Sequence, residues 1–401
     1  MSGRIVNAST GVLPASGAPL AHAALALGGF AIGTAEFATM SFLPAFTSSF
    51  GVDAPTGGHV ISAYALGVVV GAPLLAVVGA RMDRRYLLLL LLGWFAMGNG
   101  LSALASSFES LVVLRFFTAI PHGGYFGVAI LCAVGMVPQD QHATAVGRVI
   151  MGLALATVTG VPLASLISQW MGWRYGFGAI GILTLSVAAL IWYAVPPQAP
   201  TTGASAFREL GALRRSQVWL SLAIGAVGFG GLFAVYTYLA STLQEVTHVS
   251  GGIVSLILAA FGAGMAAGNF VAPRLAKLGT MPASGLFLAW SFLALATYPL
   301  TVSSAWAIGL SVFAIGIGGG LGTILQMRLM EVAGEAQLLA GALNHAAFNV
   351  ANALGPWLGG VAISAGFGWS STGLVGSTLA LGGLGVWMVS LLAAQRSKGC
   401  L

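Results

Sequence analysis

Residues 28–46 read GGFAIGTAEFATMSFLPAF. Glu36 is the only charge in the run, and without it the stretch is an ordinary membrane span. A charge near the centre of a bilayer-crossing helix costs roughly 2.5–3.5 kcal/mol on insertion scales, so its presence calls for a reason. The flanking sequence is equally apolar. Of 401 residues, 58% are hydrophobic and 6% charged, against about 25% charged in a soluble domain. No water-soluble core hides that much apolar surface. The chain reads as a multi-pass membrane protein, which excludes an ordinary soluble enzyme.

Twelve apolar runs are long enough to cross the bilayer. They fall at 22–46, 57–80, 86–106, 109–135, 143–168, 174–195, 216–242, 250–273, 281–302, 305–329, 339–363 and 371–394. The expected organisation is all-α: a flexible tail 1–21, a six-helix bundle 22–195, a linker 196–215, a second bundle 216–394 and a tail 395–401. No cleavable signal peptide is evident. Links at 107–108 and 303–304 are so short that the spans they join must be antiparallel neighbours.

Charge placement sets the expected sidedness. With both termini on the cytoplasmic side, 13 of the 15 basic residues fall in the inner links and tails, as the positive-inside rule requires. The net charge of +6 is spread along the chain and marks sidedness, not nucleic-acid binding. Cys132 and Cys400 offer neither a disulfide framework nor metal-ligand spacing. No cofactor or metal is expected, and nothing signals assembly beyond a monomer.

The halves echo each other at an offset of about 195 residues. ALGVVVGAP (65–73) returns as GAGMAAGNF (262–270), HGGYFG as GGGLG, and GVPLAS as GPWLGG. The 58 glycines suit spans that pack by close backbone approach, because lipid supplies little hydrophobic drive between helices. Two six-helix repeats around a midplane site are a common secondary-transporter plan.

These motifs resemble the major facilitator superfamily over nearly the whole chain. Within it they are most similar to the twelve-span drug:proton antiporter group, particularly arabinose-efflux-type (AraJ-like) exporters. The carriers of the resemblance are AEFATMSFLP, SAYALGVVVGAPLLA, RFFTAIPHGGYFGVA, GVPLASLIS followed by WRYGF, YTYLA, and FNVANALGPWLGG. The superfamily's signature between spans two and three appears as GARMDRRYL: Gly79, Asp83 and Arg84 match, while Tyr86 and Leu87 replace the usual glycine and basic residue. The antiporter motif of span five keeps Gly152, Gly160 and Pro162, with Ala164 and Ser165 in place of two glycines. The resemblance implies gating roles for these positions and links Arg115 to proton coupling.

Four ionisable groups lie deep in spans: Glu36, Arg115, His122 and His345. Glu36 is roughly 15 Å from the outer end of its span and Arg115 roughly 9 Å from the outer end of span four, at 1.5 Å per residue, so the two can share a layer. Two readings stand. Either they form a permanent pair that fixes helix register, or Glu36 exchanges a proton as the halves rock and Arg115 tunes it. His122 is likewise a helix-linking group or a proton or solute contact. In span eleven, His345, Asn349 and Asn352 line one face at i, i+4 and i+7, as interhelical glue or as cavity lining. Met40, Phe126, Tyr236, Tyr238, Gln326 and Phe348 are further cavity candidates. Gly160 with Pro162, and Gly355 with Pro356, are expected to kink spans five and eleven, because proline removes a helix donor.

The leading expectation is proton-coupled export of a small drug-like solute across a bacterial-type inner membrane by alternating access. A narrow-specificity sugar or nucleoside carrier of the same fold, exporting or importing, is the alternative. The chain has no phosphate-binding loop of the Gly-x-x-x-x-Gly-Lys-Ser/Thr type, which argues against an ATP-driven pump within it. It also lacks the convergent carboxylates or metal spacing of a membrane enzyme.

Overall fold

Helix starts, breaks and bends in the computed structural model follow the punctuation of the chain. Residues 18–79, 82–138, 141–198, 214–333 and 337–399 are described, and no strand occurs among them. Span one is Ala18–Ser41, continued after a break at Phe42 by Leu43–Phe50, where Pro44 sits in the first turn. That position needs no backbone N–H, so proline is tolerated there. Spans two, three and four are Ala54–Gly79, Arg84–Ala103 and Phe108–Gly135. Span five runs His142–Leu155, then a π-helical turn Ala156–Gly160, then Val161–Met171. Span six is Trp173–Ala194.

The second half begins with span seven, Ser216–Gly228 and Gly230–Glu245, interrupted at Phe229 between glycines. Span eight is Gly251–Leu275 and span nine Thr280–Thr297. Span ten is Ala305–Ile317 and Gly320–Ala333, broken at Gly318 and Gly319. Span eleven is Gln337–Ala362 with a second π-helical turn at Ile363–Phe367, and span twelve is Ser371–Gly399. Eleven of these helices are long and apolar enough to cross a membrane, and span two, 26 residues long, supplies the twelfth crossing. Large side chains such as Leu163, Ile182, Leu293 and Leu310 stand exposed on the outside of the bundle, where lipid would cover them.

The edges differ from expectation by a few residues at several spans, most clearly at span one and at the C-terminal tail. Span one starts at Ala18 and breaks at Phe42, short of 46, because Pro44 starts a new helix. The tail expected at 395–401 is helical through Gly399, since Ala-Ala-Gln-Arg-Ser-Lys contains no breaker. The remaining tail and linker expectations, 1–17, 199–213 and 400–401, lie outside the described residues.

The internal repeat is written in helix contacts. A β-carbon at Gly67 or Gly71 of span two would collide with the carbonyls of Phe116 and Ile120 in span four. At Gly264 and Gly268 of span eight it would collide with the carbonyls of Phe313 and Ile317 in span ten. Each member of the second set lies 197 positions after its counterpart. The glycine spacing thus sets the same backbone-to-backbone crossing twice, as small-residue interfaces do in lipid.

The halves touch from mid-membrane to the face opposite Ala18 and Gly399. Ser62 Oγ of span two donates to the Ala353 carbonyl of span eleven at 3.1 Å. Gln169 Nε2 of span five donates to Ser255 Oγ of span eight at 3.3 Å. Gly58 sits on the Tyr238 hydroxyl, Gly360 on Pro55, and Gly262 on the Thr157 carbonyl inside the π turn.

Candidate transport site at the seam of the two halves

Arg115 is fully buried, yet it does not pair with Glu36. Its guanidinium donates to Asn99 Oδ1 at 3.0 Å, to the Ala35 carbonyl at 3.3 Å and to Thr39 Oγ1 at 3.1 Å. Tyr64 and Phe177 lie on it, with ring centroids 4.3 and 4.9 Å from the guanidinium carbon. Neutral acceptors and two aromatic faces hold the charge, an arrangement that suits the planar guanidinium and not an ammonium. The permanent Glu36–Arg115 pair is therefore corrected. The shared layer stands, because Arg115 bonds the carbonyl of the residue preceding Glu36.

Glu36 instead faces the second half. It is 6% exposed, and its Oε1 accepts from Asn352 Nδ2 of span eleven at 3.0 Å. Asn352 Oδ1 is buried without a hydrogen-bond partner, as is Asn349 Oδ1 three residues earlier. The Asn349 amide donates back to the His345 carbonyl at 3.1 Å. The two unpaired carbonyl oxygens lie on one face of span eleven, where native structures leave few buried polar atoms without a partner.

A second seam contact lies two helical turns from Asn352 along span eleven and joins it to span four. His122 Nε2 and His345 Nε2 are 2.8 Å apart, and His122 Nδ1 is 3.0 Å from the Tyr64 hydroxyl. One proton must sit between the two Nε2 atoms. If Tyr64 donates to His122 Nδ1, His122 donates to His345; if His122 Nδ1 donates to Tyr64, His345 donates to His122. Phe126 closes this layer, with its ring 5.6 Å from His122 and 5.2 Å from His345.

The other candidates divide. Tyr236 stacks on Phe261 at 4.1 Å and meets Phe37 edge-on at 6.0 Å, and its buried hydroxyl has no partner. Tyr238 donates to the Pro356 carbonyl at 2.8 Å and packs under Gly58 and Gly360, so it braces the closed face. Met40 is buried in the core. Phe348 packs on Phe229 at 4.5 Å, and Gln326 is half-buried on span ten with no hydrogen bond to this cluster. A separate groove of about 620 Å³, lined by Pro44, Ser48, Gln169, Trp170 and Gln244 among others, opens at the far face and is distinct from the Glu36 layer.

The backbone candidates are placed by close packing. A β-carbon at Gly152 would strike the Ala26 carbonyl, one at Gly160 the Thr34 hydroxyl, and one at Gly355 the Gly230 carbonyl. Pro162 follows the π turn and Pro356 lies within span eleven. Gly79 ends span two. Asp83 caps span three by accepting from the backbone N–H groups of Arg85 and Tyr86 at 2.9 and 3.2 Å. Arg84 donates to the Leu131 carbonyl at 3.0 Å and to Gln198 Oε1 at 3.4 Å.

Several partners were not singled out from sequence: Tyr64, Asn99, Thr39, Phe177, Gln169, Ser255 and Gln198. Tyr64 and Thr39 sit inside motifs already quoted, and Asn99 is a lone amide in an apolar run. Tyr64, Thr39 and Asn99 were detectable as polar groups at span depth, though their partners were not. The described residues contain no cluster of three or more His, Cys, Asp or Glu side chains that could hold a metal.

The comparisons with known proteins agree with this architecture. The family model described as Major Facilitator Superfamily matches residues 25–344, and the chain belongs to that superfamily of membrane transporters. It is 35% identical over 376 residues to the "Inner membrane transport protein YdhP" of Escherichia coli (strain K12), covering 94% of this chain and 96% of that one. It is 30% identical to the "Putative transporter AraJ" of the same strain, over 93% and 94%. The "Chloramphenicol resistance protein" of Streptomyces lividans is 34% identical over 84% of this chain and 88% of its own. In fold the chain is similar to a solved bacterial homologue of the human lysosomal transporter Spinster, in an inward-facing and unoccupied conformation. That match has a TM-score of 0.67 at 17% identity and covers 94% and 96% of the two chains.

Proposed function

We propose that this transporter exports a small, drug-like organic solute in exchange for protons, by alternating access of its two halves. One observation carries the reading: a buried carboxyl, Glu36, is hydrogen-bonded across the seam to Asn352. A group that gains and loses a proton at the moving interface changes the strength of that interface. A hydrogen bond to a charged group is worth about 1.5–3 kcal/mol and a neutral one about 0.5–1.5, so protonation changes the contribution of this one tie between the halves by roughly a factor of two. The membrane potential adds about 2.3 kcal/mol per charge per 100 mV.

In this reading Arg115 is a fixed cation that biases Glu36 without neutralising it, and the His122–His345 contact is a second proton-sensitive tie. Gly79, Asp83 and Arg84 secure the ends of spans two and three where the halves gate, and the glycine–proline pairs in spans five and eleven give the helices room to rock. Both termini lie in the cytoplasm, the functional unit is a monomer of bundles 22–195 and 216–394, and the membrane is the bacterial inner one. The relatives named for inner-membrane transport and chloramphenicol resistance support this assignment.

The test is proton release. Purified protein in weakly buffered detergent is titrated with chloramphenicol, a pentose and a nucleoside. Release in the wild type that disappears in Glu36→Gln, while binding persists, is the expected result. Unchanged release in Glu36→Gln would move the coupling proton to His122 and His345 and sink the assignment.

A further inference from the structure

Asn352 has two chemically opposite ends, and only one is in use. Its NH2 donates to Glu36 Oε1, while its Oδ1 is buried and unpartnered. An ionised carboxylate can only accept hydrogen bonds, so it requires the NH2 end. A protonated carboxyl brings one O–H donor into the same space, and a buried donor left without an acceptor is costly. Among the described residues Asn352 is the one side chain hydrogen-bonded to Glu36, and its Oδ1 is the acceptor within reach of a half-rotation of the amide.

We propose that Asn352 couples proton and solute: its amide reverses when Glu36 is protonated, so the end offered to the solute changes from carbonyl to NH2. This rests on the reading of Glu36 as the coupling acid. With Glu36 ionised, Asn352 Oδ1 and Asn349 Oδ1 form a pair of acceptors three residues apart on span eleven. They fit a neutral solute that presents hydroxyl or amide N–H donors. With Glu36 protonated, the NH2 faces those donors and rejects them. The proton enters and leaves on Glu36, Asn352 exchanges none, and solute and proton exclude one another at a single side chain.

The other ionisable groups around Glu36 are accounted for. Arg115 and His122 of span four and Tyr64 of span two line the same seam, with His345 of span eleven beyond them and the Tyr236 hydroxyl on span seven. Spans five and six bring none to this level. Arg148 lies near the opposite end of the bundle, 3.3 Å from His22, and Arg174 bonds the Ala105 carbonyl beyond the end of span three.

Infrared difference spectroscopy of the full-length protein in lipid nanodiscs, recorded across pH, tests the proposal without any solute. A carboxylic C=O band that grows on acidification and is absent in Glu36→Gln is expected. Asn352→Leu should shift that band to higher frequency while it still titrates, and Asn352→Gln should restore its position. If the leucine variant does not give monodisperse protein, Asn352→Ala takes its place. A Glu36 band that is indifferent to Asn352 overturns the inference alone, whereas the lack of any titrating band that is lost in Glu36→Gln overturns the reading beneath it. Chloramphenicol binding is the second readout. Wild-type affinity should fall roughly tenfold on acidification, about one hydrogen bond's worth, and Asn352→Leu should bind more weakly at every pH with that dependence gone. A pH dependence retained in Asn352→Leu overturns the proposal.

Discussion

Arg115 is the residue whose structural role departs most from its sequence reading. Opposite charges at similar depth suggest a pair, but the guanidinium bonds three neutral acceptors and lies against two rings instead. Its charge is thereby held in place without fixing the protonation state of Glu36. Removing one acceptor tests this. Asn99→Leu is expected to lower stability by about 1–3 kcal/mol, the cost of an unsatisfied buried group, read as a drop in melting temperature in detergent. Arg115→Lys should abolish transport while the protein still inserts, because an ammonium cannot reproduce the fork of donors. Outside the membrane, Asp53 accepts from the Thr56 N–H at 2.9 Å at the start of span two, and its bonds to Thr56 hold its carboxyl below the usual range. A depressed carboxyl contributes stability that is present at neutral pH and is lost as pH falls through the lowered value. Thermal unfolding of Asp53→Asn should therefore lack the acid-side loss that this group gives the wild type.

At the scale of the helix, glycines decide which spans meet. Gly71→Val should separate spans two and four, because the added carbons would strike the Ile120 carbonyl, a backbone atom that cannot rotate away. The expected outcome is a large loss of folded protein by fluorescence size-exclusion, with the same result for Gly268→Val at the equivalent crossing with span ten. Much of this level was legible in the chain. Apolar length gave all twelve spans, and the glycine echo gave the repeat, since both depend on local residue types. The breaks at Phe42 and Phe229 have local causes, Pro44 and the glycines on either side of Phe229, that the continuous apolar run masked, whereas the π turn at Ala156–Gly160 was not legible, because it arises from packing between segments distant in sequence. The same reason hid the partner of Glu36. Asn352 stood out as one of a polar stripe, but a separation of 316 residues carries no local signal.

On the scale of the whole molecule, contacts between the halves lie toward the face opposite Ala18 and Gly399. Transport by rocking requires these contacts to part. Ser62→Cys combined with Ala353→Cys should cross-link under oxidant and stop transport, and reductant should restore it. Full activity in the cross-linked protein would exclude separation of the halves at this point. The π turn in span five also fixes the residue count of this chain between the two parts of the span. A π turn accommodates one residue more than a regular helical turn. Deleting a single residue, such as Val158, would restore a plain helix and rotate everything beyond it by about 100°. Gln169 would then swing off Ser255, and Ser165 would turn away with it. A one-codon deletion at this site would leave a chain that still inserts as twelve spans yet loses the Gln169–Ser255 tie between its halves.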